Sequence, residues 1–459
     1  MKKMRLHSKF HVVFIAGYQR RTLTHLMVSL LFRKFNAAIL LLLIIGIRAF
    51  SQQPPPNAVP QNAINPIDLI DVIRKELNKN GQPRSDSAVQ GVRNLSLLPI
   101  VGYGPANGFV IGAAVGVTNM LGNPKTTELS SMLLSLSFTT KQQILLAFRS
   151  DIHFPDNKWY IPGDIRLLFF SQPTYGLGIY ALNSPVTFNV EGINVSKNIL
   201  EQPMRFNYIR IYETIVKEVF RHWYAGLGIN IDVHGNINDE SLKLDTPNQV
   251  ITSNYFYSTK YGFNPEHYST NGLSLQIIQD SRDNPISAHK GYYANLSFRV
   301  NEQIFGGSQN STMLYYEWRN YIGLNKRKPA MVLAFWAWGE FVTSGNVPYL
   351  ALPSITWDTY NRSGRGYIQG RFRGKDMMYE EAEYRLPISR NGLLGAVAFF
   401  NLTTASNPIT SQTLFYAVAP GYGFGLRINM NKKDRTNICI DYGRGQSSSG
   451  IYFNIRETF

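Results

Sequence analysis

Ser363-Gly-Arg-Gly-Tyr-Ile-Gln-Gly-Arg-Phe-Arg-Gly-Lys-Asp376, followed by Met377-Met-Tyr-Glu-Glu-Ala-Glu-Tyr-Arg-Leu-Pro-Ile388, decides how the chain is read. Its first half holds four glycines and four cations, too flexible and too polar for a strand, so it reads as a long loop. Its second half alternates. Strand side chains point to opposite faces in turn, which puts Met377, Tyr379, Glu381, Glu383 and Arg385 on one side. Met378, Glu380, Ala382, Tyr384 and Leu386 fall on the other. A strand with one charged face and one mostly apolar face fits either a soluble core or a barrel wall, and repetition decides between them.

The same period recurs from Leu95 onward. In 223–234, Trp223, Ala225, Leu227, Ile229, Ile231 and Val233 oppose Tyr224, Gly226, Gly228, Asn230, Asp232 and His234. In 421–430, Tyr422, Phe424, Leu426, Ile428 and Met430 oppose Gly421, Gly423, Gly425, Arg427 and Asn429. Small and polar groups on one side with a continuous apolar band on the other is inverted relative to a soluble barrel, and lipid outside with water inside explains it. Strands are predicted over 96–103, 107–120, 127–140, 142–154, 157–172, 206–219, 222–236, 272–282, 291–304, 311–325, 329–343, 376–389, 392–405, 416–430, 435–445 and 449–459. The fold class is all-β: a transmembrane antiparallel β-barrel of about 16 strands after a short N-terminal periplasmic segment. The long connections 173–205, 237–271 and 344–375 follow odd-numbered strands and share one rim.

Composition agrees with this reading. Aromatics make up 13% of the 459 residues and charged residues only 17%. The formal charge of +16 suggests a nucleic-acid binder until it is divided: residues 1–48 hold nine Lys or Arg and no acid, leaving +7 for the rest. No basic helix or base-stacking motif remains, so nucleic acid is not an expected partner. The single cysteine, Cys439, excludes an intramolecular disulfide and a multi-cysteine metal site, and no cofactor is implied. The apolar run 37–47, with Arg33 and Lys34 before it and Ala49 and Ser51 after it, suits a signal peptide ending at residue 51. Translation can begin at Met1 or at Met27. Residues 52–94 form a periplasmic linker in which Ile67, Ile70, Ile73 and Leu77 recur at helical spacing. That helix can dock a partner, plug the barrel mouth or belong to a disordered tether. The barrel domain occupies 95–459.

The last strand, Gly450 to Phe459, places Ile451, Phe453, Ile455 and Phe459 outward, with Tyr452 between them and Glu457 as a charged exception on the lipid face. Ending on Phe, it looks like the C-terminal signal strand of outer-membrane proteins. Arg365-Gly366-Tyr367 in the long loop, Glu383-Tyr384-Arg385-Leu386-Pro387 in strand twelve, and Asp280-Ser281-Arg282-Asp283-Asn284 followed by Gly291 also fall in a telling order. Together with Ile440-Asp441-Tyr442-Gly443 they resemble the BamA/TamA superfamily of outer-membrane assembly barrels, the bacterial surface antigen family. The resemblance covers roughly 95–459. It implies that the loop folds into the lumen and that Arg365 meets Glu383, with Arg385 and Asn401 completing the anchoring wall. Asn401 stands where the family has Asp, so the lock is expected to be weaker or carried by Glu383 alone, and restoring Asp there is expected to tighten it. Gly364 stands where an aliphatic residue is usual. The 43 residues from Gln52 to Asn94 cannot hold a POTRA module, so the chain resembles the POTRA-less branch.

The resemblance implies a protein-insertion or translocation barrel in the bacterial outer membrane, with a weak seam between the strand near Leu97 to Gly104 and the strand Ile451 to Phe459. Pro99, Gly102 and Gly104 favour weak pairing, because proline lacks a ladder donor and glycine weakens a strand. Expected partners are outer-membrane lipid and either unfolded outer-membrane proteins or a separate periplasmic delivery partner. The alternative is a passive pore or structural surface barrel whose loop only stabilises the interior. An enzyme is the third reading. The eight histidines show no ligand spacing and no Gly-x-Ser-x-Gly elbow exists. Asp232 with His234, and Asp151 with His153, share lumen faces, and ordinary wall polarity accounts for both pairs; no catalytic residue is assigned. The Asp280 to Asp283 cluster reads as a turn because Arg282 sits between its acids.

Overall fold

A computed structural model of the chain describes residues 67–77, 94–123, 126–179, 188–190, 193–195, 201–245, 249–326, 328–432 and 435–459. The predicted signal peptide and most of the linker lie outside these residues. Sixteen strands close into one antiparallel barrel: β1 (Asn94–Gly104), β2 (Gly108–Asn119), β3 (Ser130–Thr139), β4 (Ile144–His153), β5 (Trp159–Thr174), β6 (Gln202–Phe220), β7 (Trp223–Asp239) and β8 (Tyr268–Asp280). Then follow β9 (Gly291–Asn301), β10 (Ser311–Gly323), β11 (Val332–Gly345), β12 (Asp376–Pro387), β13 (Leu394–Ala405), β14 (Ala419–Asn431), β15 (Thr436–Gly445) and β16 (Ser448–Ile455). No described helix is long and apolar enough to cross a membrane. The wall is inverted as its alternation requires. Phe109, Ile111, Phe169, Leu227 and Phe424 are exposed on the outside, while Asp232, Arg299, Glu317 and Arg319 are buried within.

Closure is uneven. β1 pairs with β2 along its whole length, from Asn94↔Thr118 to Gly104↔Gly108, but meets β16 at a single register position, Tyr103↔Phe453.

The lumen is not simply a water-filled channel, which corrects the expectation from alternation. In its long-loop half, Phe170, Met204, Phe206 and Tyr208 point inward and form an apolar core with Val347, Tyr349, Leu350 and Leu352 of the β11–β12 connection. Arg373 knits that connection to itself, its Nη1 donating to the carbonyls of Tyr349 at 2.9 Å, Leu350 at 2.9 Å and Leu352 at 3.2 Å. A second helix, in the β7–β8 connection, covers this core with Tyr257. Wide barrels have room inside, and here one long loop with its own apolar side chains fills it.

The opposite rim carries the short turns. The first helix, α1 (Leu69–Leu77), begins with a reciprocal cap in which the Asp71 amide donates to Asp68 Oδ1 at 2.8 Å and the Asp68 amide to Asp71 Oδ2 at 3.3 Å. It docks on this rim: the Ile67 amide donates to Asn391 O at 2.9 Å and Lys432 Nζ to Asp71 Oδ2 at 2.6 Å. The strand-end motif lies on the same rim. Asp280 grips Arg282 at 2.9 and 2.5 Å, Asp283 accepts from Arg435 Nη1 at 2.8 Å, and Gly291 takes a φ of 95° that favours glycine. The connection 281–290 thus ties the β8–β9 end to the β14–β15 turn, six strands away around the wall.

Two acids of this rim, Asp71 and Asp283, are held below the ordinary carboxylate range. Asp71 is lowered chiefly by its bond from Lys432. For Asp283 burial works upward, but the bond from Arg435 and the His289 and Lys290 amides outweigh it. A lowered folded pKa means stabilisation that is complete above the unfolded value and lost as pH falls through the folded one. Hydrogen exchange in 67–77 and 281–290 is therefore expected to stay slow down to the ordinary carboxylate range and to rise below it. Lys432→Ala and Arg435→Ala should each give the fast exchange at neutral pH in their own segment.

Candidate functional site

The strand alternation of β12 brings Tyr379, Glu381, Glu383 and Arg385 into the lumen, facing Phe399 and Asn401 of β13, Arg427 of β14 and Asp441 of β15. The β11–β12 connection delivers Arg365 to the centre of this wall. Its Nη2 donates to Glu381 Oε1 and to Glu383 Oε2, each at 2.5 Å, and its Nη1 to Asp441 Oδ2 at 2.8 Å. The guanidinium also lies over the Phe399 ring, 3.6 Å from its centroid. Arg365 is 2% exposed and both glutamates 1% or less, so the cluster is dry. Arg385 Nε supports Glu383 at 2.7 Å, and Arg427 supports Asp441 at 2.5 Å and Glu457 at 2.8 Å. Three arginines face four carboxylates. With so little solvent, each carboxylate depends on its fixed donors, and Glu381 has Tyr379 at 2.5 Å besides Arg365.

The backbone of the Arg-Gly-Tyr stretch is held as well. Gly366 has a φ of 111°, and a side chain there would lie 2.8 Å from the Arg444 and Gly445 backbone, so only glycine lets the loop approach β15. The Gly366 amide donates to Tyr452 Oη at 2.9 Å, and Tyr367 Oη donates to Pro420 O at 2.6 Å. Gly364, where the family usually has an aliphatic group, has a φ of 75° and is covered by Ile355 from the same loop. The aliphatic position is filled from elsewhere in the connection. Asn401 does not join the guanidinium; its Nδ2 donates to the Arg365 carbonyl at 3.0 Å. Of the two outcomes expected, a weaker lock or one carried by Glu383 alone, the second is corrected, since the Arg365 guanidinium also bonds Glu381 and Asp441.

The C-terminus departs from the sequence pattern. β16 ends at Ile455, Arg456 adopts a left-handed φ of 79°, and the last three residues turn into the lumen. Ile451 and Phe453 face outward, but Phe459 packs against Trp336 and Tyr321, at ring centroid distances of 5.2 and 6.2 Å. Glu457, expected on the lipid face, bonds Arg427 and Asn437 inside. The physical reason is the arginine set. Arg385 Nη2 donates to Phe459 O at 2.9 Å, Arg362 of the long loop donates to the carbonyls of Ile455, Arg456 and Glu457, and an inward turn satisfies all of them. Period two carries no sign of where a strand stops.

Of the residues singled out in the sequence, Arg365, Glu383, Arg385 and Asn401 converge here with Gly366, Tyr367 and Tyr452. Asp280, Arg282, Asp283 and Gly291 form the separate rim tie. Alternation alone missed Glu381, Asp441, Arg427 and Arg362. The signal for Glu381 was present, since it shares the face of Glu383 two residues away. The acid–histidine pairs do not assemble: Asp232 is bonded by Tyr208, Tyr212 and Arg299 while His234 stacks on Tyr208. Asp151 accepts from Tyr160, on which His153 stacks. Among the described residues no group of His, Cys, Asp and Glu has the geometry to hold a metal ion.

Comparisons with known proteins agree with this geometry. No curated protein matches the chain. Among solved structures, BamA from Haemophilus ducreyi lacking POTRA domains 1-3 is similar at 13% identity with a TM-score of 0.50, covering 87% of this chain and 79% of that one. CdiB from Acinetobacter baumannii is similar at 11% identity with a TM-score of 0.46, covering 80% of this chain and 65% of that one, too low to carry an argument. The BamA likeness speaks for the barrel fold alone. The model of the Omp85 superfamily domain matches residues 224–459, the part that contains the lock, the rim tie and the inward-turned tail, and the chain belongs to the Omp85 superfamily.

Proposed function

We propose that this barrel works in the bacterial outer membrane as an insertion or translocation device for other proteins, using the β1–β16 seam. The observation that carries this reading is the single register position, Tyr103↔Phe453, that joins the two strands. A single register pair holds far fewer backbone hydrogen bonds than any full ladder of the wall, so this is where the wall separates at the lowest cost. Among the described residues, the part of β1 below Tyr103 has no register partner on β16. In lipid an unpaired edge is costly, and it gains backbone partners from any strand presented to it. A client strand fits that requirement. The arginine-held tail supports the same reading, because Arg362 engages the carbonyls with which β16 would otherwise extend. A passive pore fits less well, since the loop core and the Arg365 cluster occupy the lumen.

Cysteines placed at Tyr103 and Phe453, with Cys439→Ala to remove the native thiol, test the proposal. Reconstituted in vesicles, the reduced protein is expected to speed the folding of a small outer-membrane barrel client several-fold, and the oxidised protein to lose that effect until reductant restores it. Equal rates in both redox states, or no acceleration by the wild type, would contradict the seam as the working part.

A further inference from the structure

Five cations stand on the short-turn rim without a partner. They are Arg221 of the β6–β7 turn, Lys290 of the β8–β9 connection, Lys326 and Lys328 of the β10–β11 turn and Arg390 of the β12–β13 turn, and all are exposed. Among the described residues, none of the five side chains has an ion-pair, hydrogen-bond or ring partner. The four connections follow one another along this rim, because β6 to β13 are successive neighbours in the wall. Asp283, the acid they contain, is already held by Arg435. The long-loop rim differs, since its exposed cations Lys141, Lys243 and Lys260 occur with the exposed acids Glu240, Asp245 and Glu266. A run of like charges along one edge attracts anions and repels itself until they arrive.

The place of these cations says which anion meets them. Phe220 is 74% exposed beside Arg221, Leu324 is 47% exposed two residues before Lys326, and Ile388 is 57% exposed two residues before Arg390. Three of the turns thus pass from the outward apolar band to a cation within two residues. That step puts the cations where hydrocarbon gives way to headgroups, a level that Lys and Arg reach with their stems lying on apolar surface.

We propose that the rim from β6 to β13 binds the phosphates of phospholipids that carry a net negative charge, in preference to zwitterionic ones. Charge complementarity and the position at the edge of the apolar band select this occupant. An acidic protein would meet the same charge but makes no use of Phe220, Leu324 and Ile388 beside it. The inference rests on the barrel lying in a bilayer, is independent of the seam, and is tested without any insertion assay.

The protein in nanodiscs of equal phosphatidylglycerol and phosphatidylcholine content at low salt, released and read by native mass spectrometry, should retain the anionic lipid roughly fivefold over the zwitterionic one. Assembly of the nanodiscs at high salt should shrink that preference. Combining Arg221→Gln, Lys290→Gln, Lys326→Gln, Lys328→Gln and Arg390→Gln should bring the ratio near one, while Lys141→Gln, Lys243→Gln and Lys260→Gln on the other rim leave it unchanged. Lys326→Gln with Lys328→Gln alone should lower it in part, and this pair serves if the combined variant does not fold. No preference in the wild type, or an equal loss from the long-loop substitutions, would overturn the proposal. So would binding of soluble glycerol phosphate, or of polyglutamate, that depends on the five cations without any preference for the anionic lipid.

Discussion

Arg365→Ala is expected to free the β11–β12 connection while the sixteen-stranded wall still forms. The substitution removes the one cation shared by Glu381, Glu383 and Asp441, and breaking a buried pair on one side costs about 3–5 kcal/mol. Arg385 and Arg427 still hold Glu383 and Asp441, so Glu381, left with Tyr379 and Asn401, bears most of that loss. Limited proteolysis from the long-loop side should then cut near Arg371 and Lys375, where the wild type resists. Glu383→Ala should expose the same sites, and the double mutant should be little worse than either single one, because members of one network are not additive. Asn401→Asp is expected to loosen the loop. The side-chain amide donates to the Arg365 carbonyl, and a further acid would oppose four carboxylates already facing three arginines. This reverses the effect that the family's usual acid implies. Unchanged protease resistance in Arg365→Ala would mean that the apolar loop core alone holds the connection.

Phe459→Ala is expected to lower the thermal midpoint of the refolded barrel markedly. The ring is 6% exposed between Trp336 and Tyr321, and emptying a packed Phe site costs about 3–5 kcal/mol. Arg362→Ala should weaken the tail by a second route, withdrawing donors from the carbonyls of Ile455, Arg456 and Glu457. A lipid-facing Phe would behave differently, since lipid fills the space left by the ring. If Phe459→Ala left the midpoint unchanged and impaired only assembly, the outward placement predicted by alternation would be right and the inward tail wrong.

The barrel was legible because its code is local. Each strand announces its two faces by period two, and sixteen predicted segments correspond to sixteen strands, with the long connections on one rim. The contents of the lumen were less legible. Arg365 and Glu383 could be paired through a resemblance, but whether Glu381 or Asp441 also reaches the guanidinium depends on register around a closed wall, which no single strand encodes. The tail shows a second limit. Ile451, Phe453, Ile455 and Phe459 keep one alternation with only Glu457 interrupting it, and the left-handed Arg456 with three arginines on other elements shows that the last residues leave the wall. Glu380 shows a third: its alternation places it outward, but nothing in its own strand announces that it is buried.

The account stands on the seam being loose while the rest of the wall is fixed, and a distance distribution measures this directly. Spin labels at Leu97 on β1 and Ile451 on β16, in protein with Cys439→Ala reconstituted in lipid, should give a broad distribution by pulsed electron resonance. A control pair with the same eight-residue stagger on fully paired strands, Leu273 on β8 and Tyr292 on β9, should give a narrow one. A Leu97–Ile451 distribution as narrow as that control would mean that β1 and β16 are held as firmly as any neighbouring strands, and would contradict a seam that opens.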